Sequence, residues 1–198
     1  ACRSVGDHAY FEQVPRGMSR LEPEPDRARR SQIFQIWIRP VEPDKAVFAL
    51  RLAMFELDKL VKDGLSAEEF ERTRNFLSKN VNLLMKTKDA ELGYAIDSRY
   101  YGIGAYDRYL KDGLSKLTRD AVNQAIRRHL HADRLYIVAV TDHAAELRQK
   151  LLSGESSPMK YNSPKPAGLL EEDKTVERWD LHLAPENIRI APVEQMFQ

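Results

Sequence analysis

Histidines, carboxylates and one thiol are the groups in this chain with which a metal or a nucleophile could be built. The histidines are His8, His129, His131, His143 and His182. A zinc hydrolase needs two of them one turn apart on a helix, with a glutamate between to activate water. His143-Ala-Ala-Glu146 begins such a pattern in its inverted form, H-x-x-E-H, and then fails because Leu147 cannot ligate. His129 and His131 follow Arg127 and Arg128, and in a helix their rings would point about 200° apart. That arrangement suits the negative end of a helix dipole better than a chelate. Cys2 stands near the first residue with no neighbour to lower its pKa. There is no Gly-x-Ser-x-Gly elbow, and Gly102-Ile-Gly104 lacks the strand and third glycine of a phosphate loop. Arg27, Arg29 and Arg30 could meet a phosphate, but acidic flanks and the lack of an aromatic platform favour a solvated loop. No complete active site is legible, so the expected catalytic residues and metal ligands in this chain are none.

The elements around these residues are easier to read. Residues 8–13 are rich in aromatics and end at Pro15-Arg-Gly17, which predicts a strand and turn. Residues 21–30, with Pro23 and Pro25, suit an exposed connection. Ile33-Phe-Gln-Ile-Trp-Ile38 is a second strand signal, stopped by Pro40. Pro43 then stands where a helix can begin. Val47, Leu50, Met54, Leu57 and Val61 recur at helical spacing, with Phe48, Leu52 and Phe55 widening the apolar face. Gly64 is placed for a left-handed helix stop, and Ser66-Ala-Glu-Glu69 is a capping box opening a second helix. A third runs over residues 89–101 and breaks at Gly102; a short one covers 106–110; Thr118 caps the next. Leu135-Tyr-Ile-Val-Ala-Val140 is continuously apolar and predicts a central strand, followed by a helix over 144–152. Beyond Ser153, serines and prolines predict an extended tail, with a strand possible at 187–190. The expected organisation is one domain over residues 1–152 and a Pro-rich tail over 153–198, packed on that domain or on a partner.

Composition sets the outer limits. Apolar residues make up 42% and charged residues 31%, enough for a packed core under a solvated surface. Lys+Arg number 31 and Asp+Glu 30, a net charge of +1, which disfavours a nucleic-acid binder. No apolar run nears the ~20 residues of a membrane helix, and the first residues lack the plan of a signal peptide. A single cysteine excludes an intrachain disulfide and leaves the compartment open.

The order of these parts carries a resemblance. Ile33-Phe-Gln-Ile-Trp-Ile-Arg-Pro40, the helix ending Glu56-Leu57, Lys62-Asp-Gly-Leu-Ser-Ala-Glu-Glu-Phe-Glu71, Leu117-Thr118 with Val122, and Tyr136-Ile-Val-Ala-Val140 follow one another at characteristic separations. Together they resemble the latter part of a domain of the pitrilysin/insulinase family of zinc peptidases, over residues 8–152. The resemblance implies an α+β fold, a mixed and largely antiparallel sheet backed by a layer of helices. Family members have two homologous halves. The first carries H-x-x-E-H and zinc, and the second, without metal, closes over extended peptide. This chain has no H-x-x-E-H and resembles the second half.

The resemblance therefore implies a non-catalytic, substrate-clamping portion of a zinc peptidase, inactive alone, whose partner is a zinc-bearing half-domain or sister subunit. The expected ligand is an extended peptide, with neither nucleic acid nor membrane as partner. No cofactor is expected in this chain, and zinc is expected in the missing or partner half. In the family's second half an Arg and a Tyr seven positions apart open the first strand, binding substrate backbone and stabilising the oxyanion. Arg3 and Tyr10 have that spacing here. Arg99 and Tyr106 share it at a helix end and its turn, where a structural role is expected. The alternative reading is a catalytically dead scaffold or assembly protein of the same fold.

Overall fold

Pro43 lies in a turn closed by the Lys45 N–H donating to the Glu42 carbonyl at 2.9 Å, and the chain enters helix at Ala46. The computed structural model describes residues 9–12, 25, 33–38 and 40–195. Among the described residues it contains two short strands and seven α-helices. The strands are β1 (Ala9–Glu12) and β2 (Ile33–Ile36). The helices are α1 (Ala46–Asp63), α2 (Ala67–Leu84), α3 (Lys88–Tyr101), α4 (Tyr106–Lys116), α5 (Arg119–His129), α6 (Ala144–Ser153) and α7 (Ala167–Val176). Two one-turn 3-10 helices follow at Pro185–Asn187 and Val193–Gln195.

This corrects the expected α+β architecture. The sheet among the described residues is a single ladder of two strands, β1 with β2, and not a broad antiparallel sheet under helices. The decisive miss is residues 135–140, which belong to no helix or ladder. Their apolar, β-branched composition was a sound signal for a backbone that favours extension. A strand, however, exists only through hydrogen bonds to a neighbour distant in sequence, and local composition says nothing about that neighbour. The possible strand at 187–190 also fails, since Asn187 closes a 3-10 turn there.

Helix signals held because they are local. Ser66 accepts from the Glu69 N–H at 3.2 Å while Glu69 Oε2 accepts from the Ser66 N–H at 2.9 Å, completing the capping box of α2. Thr118 accepts from the Ala121 N–H at 3.2 Å at the start of α5. Gly102, at φ 66°, ends α3 in the left-handed conformation.

The chain divides into two compact units. One comprises Ile36–Lys59 and Ala132–Gln198, the other Leu60–His131 among the described helices. In the first, Phe48, Leu52 and Val176 form the core, with Phe55 and Met159 against it. Val176 of α7 is fully buried, so the stretch expected as a Pro-rich tail supplies a core residue. Ala167-Gly-Leu-Leu-Glu-Glu-Asp-Lys is a helix-forming run that Gly168 and the surrounding prolines obscure. Trp179 meets Phe55 edge-on, ring centroids 5.1 Å apart. In the second unit α4 packs chiefly on α2 and also on α3. Phe70, Val81, Tyr94 and Leu130 are its buried apolar side chains.

Candidate functional site

The residues expected to touch substrate are Arg3 and Tyr10. Arg3 lies outside the described residues. Tyr10 falls in the middle of β1, where the backbone is described and the side chain is not. The sheet order β1-β2 gives β1 one ladder partner among the described residues and leaves its other edge without one. Such an edge presents a row of N–H donors and C=O acceptors, the chemistry by which extended backbone is bound whatever its side chains.

The spacing twin, Arg99 and Tyr106, is placed as structure. Tyr106 stacks on buried Tyr94, with centroids 4.3 Å apart and rings 13° from parallel. Arg99 stands in the last turn of α3, where a cation opposes the negative helix end.

The described histidines and acids are dispersed. His143 precedes α6, its Nε2 3.5 Å from Asp142 Oδ1, and its N–H donates to Thr141 Oγ1 at 3.1 Å. Glu146 pairs with Lys150 at 2.7 Å, and that hydrogen bond holds its carboxyl below the usual glutamate range. His182 has φ 51°, with its N–H donating to Asp180 Oδ1 at 2.7 Å. Among the described residues no three His, Cys, Asp or Glu side chains come together as a metal site. No helix among them is long and apolar enough to cross a membrane.

Two buried polar side chains that sequence reasoning passed over do most to position these elements. Arg51, 4% exposed, sits on the apolar side of α1 between Phe48 and Phe55. Its Nη1 donates to the Glu155 carbonyl at 2.8 Å, to Ser157 Oγ at 2.9 Å and to the Glu177 carbonyl. Glu177 caps α7, so the guanidinium meets the negative end of that helix dipole. Burial pulls the Arg51 pKa below the ordinary arginine value, against the opposing pull of Asp180 and Glu177. Asn123 reads the α1–α2 turn in the second unit. Its Oδ1 accepts from the Leu65 N–H at 2.8 Å and its Nδ2 donates to the Leu65 carbonyl at 3.1 Å. A polar residue inside an apolar helical stripe is the signal that could have found both.

One surface remains. Residues 135–140 run between the turn at 132–134 and α6 with Tyr136 fully exposed, Val138 81% and Val140 88% exposed. Among the described residues none of their backbone groups makes a hydrogen bond. Comparison with known proteins adds nothing to this geometry: no family model, curated protein or solved structure matches the chain.

Proposed function

We propose that the chain is the metal-free, substrate-clamping part of a zinc peptidase of the pitrilysin/insulinase type. The observation that carries this reading is the edge of β1 that has no ladder partner among the described residues, in a strand that includes Tyr10. An extended peptide adding to that edge forms a third strand, held by main-chain hydrogen bonds. The Tyr10 phenol then supplies a hydrogen bond to the oxyanion formed at the scissile carbonyl, and Arg3 holds the peptide backbone. Zinc, the attacking water and the glutamate that activates it come from a partner module carrying H-x-x-E-H. The order of parts supports the reading as well: Pro43 before α1, Gly64, the Ser66/Glu69 capping box and the Thr118 cap. A two-stranded ladder is narrower than the resemblance implies, but strand addition needs only an edge.

The full chain, titrated with an extended apolar peptide, is expected to bind it without zinc. Methylating alternate peptide nitrogens removes the ladder donors and should weaken binding at least about tenfold, the effect of losing one or two hydrogen bonds. Equal affinity for both peptides would refute strand addition.

The scaffold reading is favoured by a different observation. Leu92, Ile96 and Tyr100 recur every fourth residue on α3 and are all exposed, an apolar stripe suited to assembly. The two readings part on whether a zinc-bearing partner hydrolyses peptide in its presence.

A further inference from the structure

The acids of α2, Glu68, Glu69 and Glu71, all lie before Arg72, and from Arg72 to Lys88 the chain carries five cations and no Asp or Glu. In a protein whose net charge is +1 this is a local basic excess. Within the helix Arg72, Phe76, Lys79 and Leu83 stand four, three and four positions apart. That spacing keeps them within about 60° of one another around the axis, on a line about 16 Å long. The line faces away from the core. All four residues are exposed, Phe76 at 54% and Leu83 at 51%, while Phe70 and Val81 on the opposite side are buried. Neither Arg72 nor Lys79 makes an ion pair among the described residues, unlike Arg74, which binds Glu71 at 2.6 Å. Uncharged Thr73 and Asn80 border the line on one side, Asn75 and Asn82 on the other.

We propose that this line is a docking site for an acidic amphipathic helix of a partner protein. Separations of four and three are those at which one helix presents a seam to another. Here the seam alternates cation and hydrophobe. Its complement has apolar side chains that meet Phe76 and Leu83, and Asp or Glu that meet Arg72 and Lys79. The two apolar contacts remove surface from water, and the ion pairs beside them choose the partner and fix its register. Like charges reject self-pairing. An antiparallel second copy that sets Phe76 against Leu83 places Lys79 beside its own copy, and a parallel one also sets Arg72 against Arg72. An anionic lipid surface is disfavoured for a different reason. A helix lying in a membrane buries a broad apolar face, whereas α2 turns that face into its own unit and leaves Phe76 and Leu83 outside. This site does not depend on the peptidase reading, which uses the edge of β1.

The probe is a synthetic helical peptide with leucine and glutamate alternating at the same four-three spacing and a fluorescent label at one end. Titrated with the full chain, it should bind, and binding should weaken as salt is raised. A peptide of the same composition, with its leucines and glutamates moved off one line, should bind at least about tenfold more weakly. Phe76→Ala should cost a similar factor. Arg72→Glu combined with Lys79→Glu, both at exposed positions, should leave the circular dichroism unchanged. That variant should lose the glutamate peptide and gain one carrying lysine in its place. No binding of the glutamate peptide, equal binding of the rearranged one, or an affinity indifferent to these substitutions would overturn the proposal. So would sedimentation with phosphatidylserine vesicles that the substitutions abolish, which would assign the line to a membrane, or a concentration-dependent dimer that they abolish.

Discussion

Arg51→Ala is expected to lower the stability of the unit built on α1 and α7 by about 3 kcal/mol, a large part of what a small domain possesses. The Arg51 guanidinium satisfies the Glu155 carbonyl, Ser157 Oγ and the Glu177 carbonyl from a position almost closed to water. Truncation leaves those acceptors facing a void beside Phe48 and Phe55. The Ser157 N–H still donates to the Glu177 carbonyl at 3.0 Å, which limits the loss. Arg51→Lys should recover only part of it, because an ammonium on a flexible stem does not reproduce the planar fork. Hydrogen exchange supplies the specific readout: protection should fall first at 155–157 and along α7, while α2 to α5 stay protected. A uniform loss across both units would contradict the assignment of Arg51 to one of them.

Gly64→Ala should cost about 3 kcal/mol in the other unit. Gly64 has φ 71°, a conformation that L side chains seldom adopt. An added Cβ would also lie 2.6 Å from Asn123 Cγ, displacing the amide that both accepts from and donates to Leu65. The two causes separate in a double-mutant cycle. With Asn123→Ala already present the steric conflict is gone, and Gly64→Ala should then cost only about 1 to 2 kcal/mol for the left-handed backbone. Urea melts monitored by circular dichroism measure both. Additive losses would show that the Asn123 amide does not set the close approach at this turn.

These two positions mark how far the sequence could be read. Gly64 was legible as a helix stop because its signal, a glycine between an apolar stripe and a capping box, is local. The Ser66/Glu69 box, the Thr118 cap and the Gly102 stop were legible for the same reason. The partner of Gly64 was not, since Asn123 lies 59 positions on and only the fold brings them together. The place of Arg51 inside the apolar stripe of α1 was legible, but its partners were not: nothing in residues 46–63 announces the carbonyls beyond residue 154. Residues 135–140 show the opposite error. Their composition reads as a buried central strand, yet the neighbour that would make them one is absent among the described residues. The expected sheet fell with that neighbour. Of the candidate site, Tyr10 sits within a described strand and Arg3 lies outside the described residues.

Hydrolysis of a quenched fluorescent peptide tests the central claim most directly. It should be followed with the chain alone, with a zinc-loaded partner bearing H-x-x-E-H alone, and with the two mixed, each with and without phenanthroline. Cleavage is predicted only in the mixture, lost on chelation, and reduced about 100-fold by Tyr10→Phe, the effect of removing one oxyanion donor. Chelator-sensitive cleavage by this chain with no partner present would contradict it.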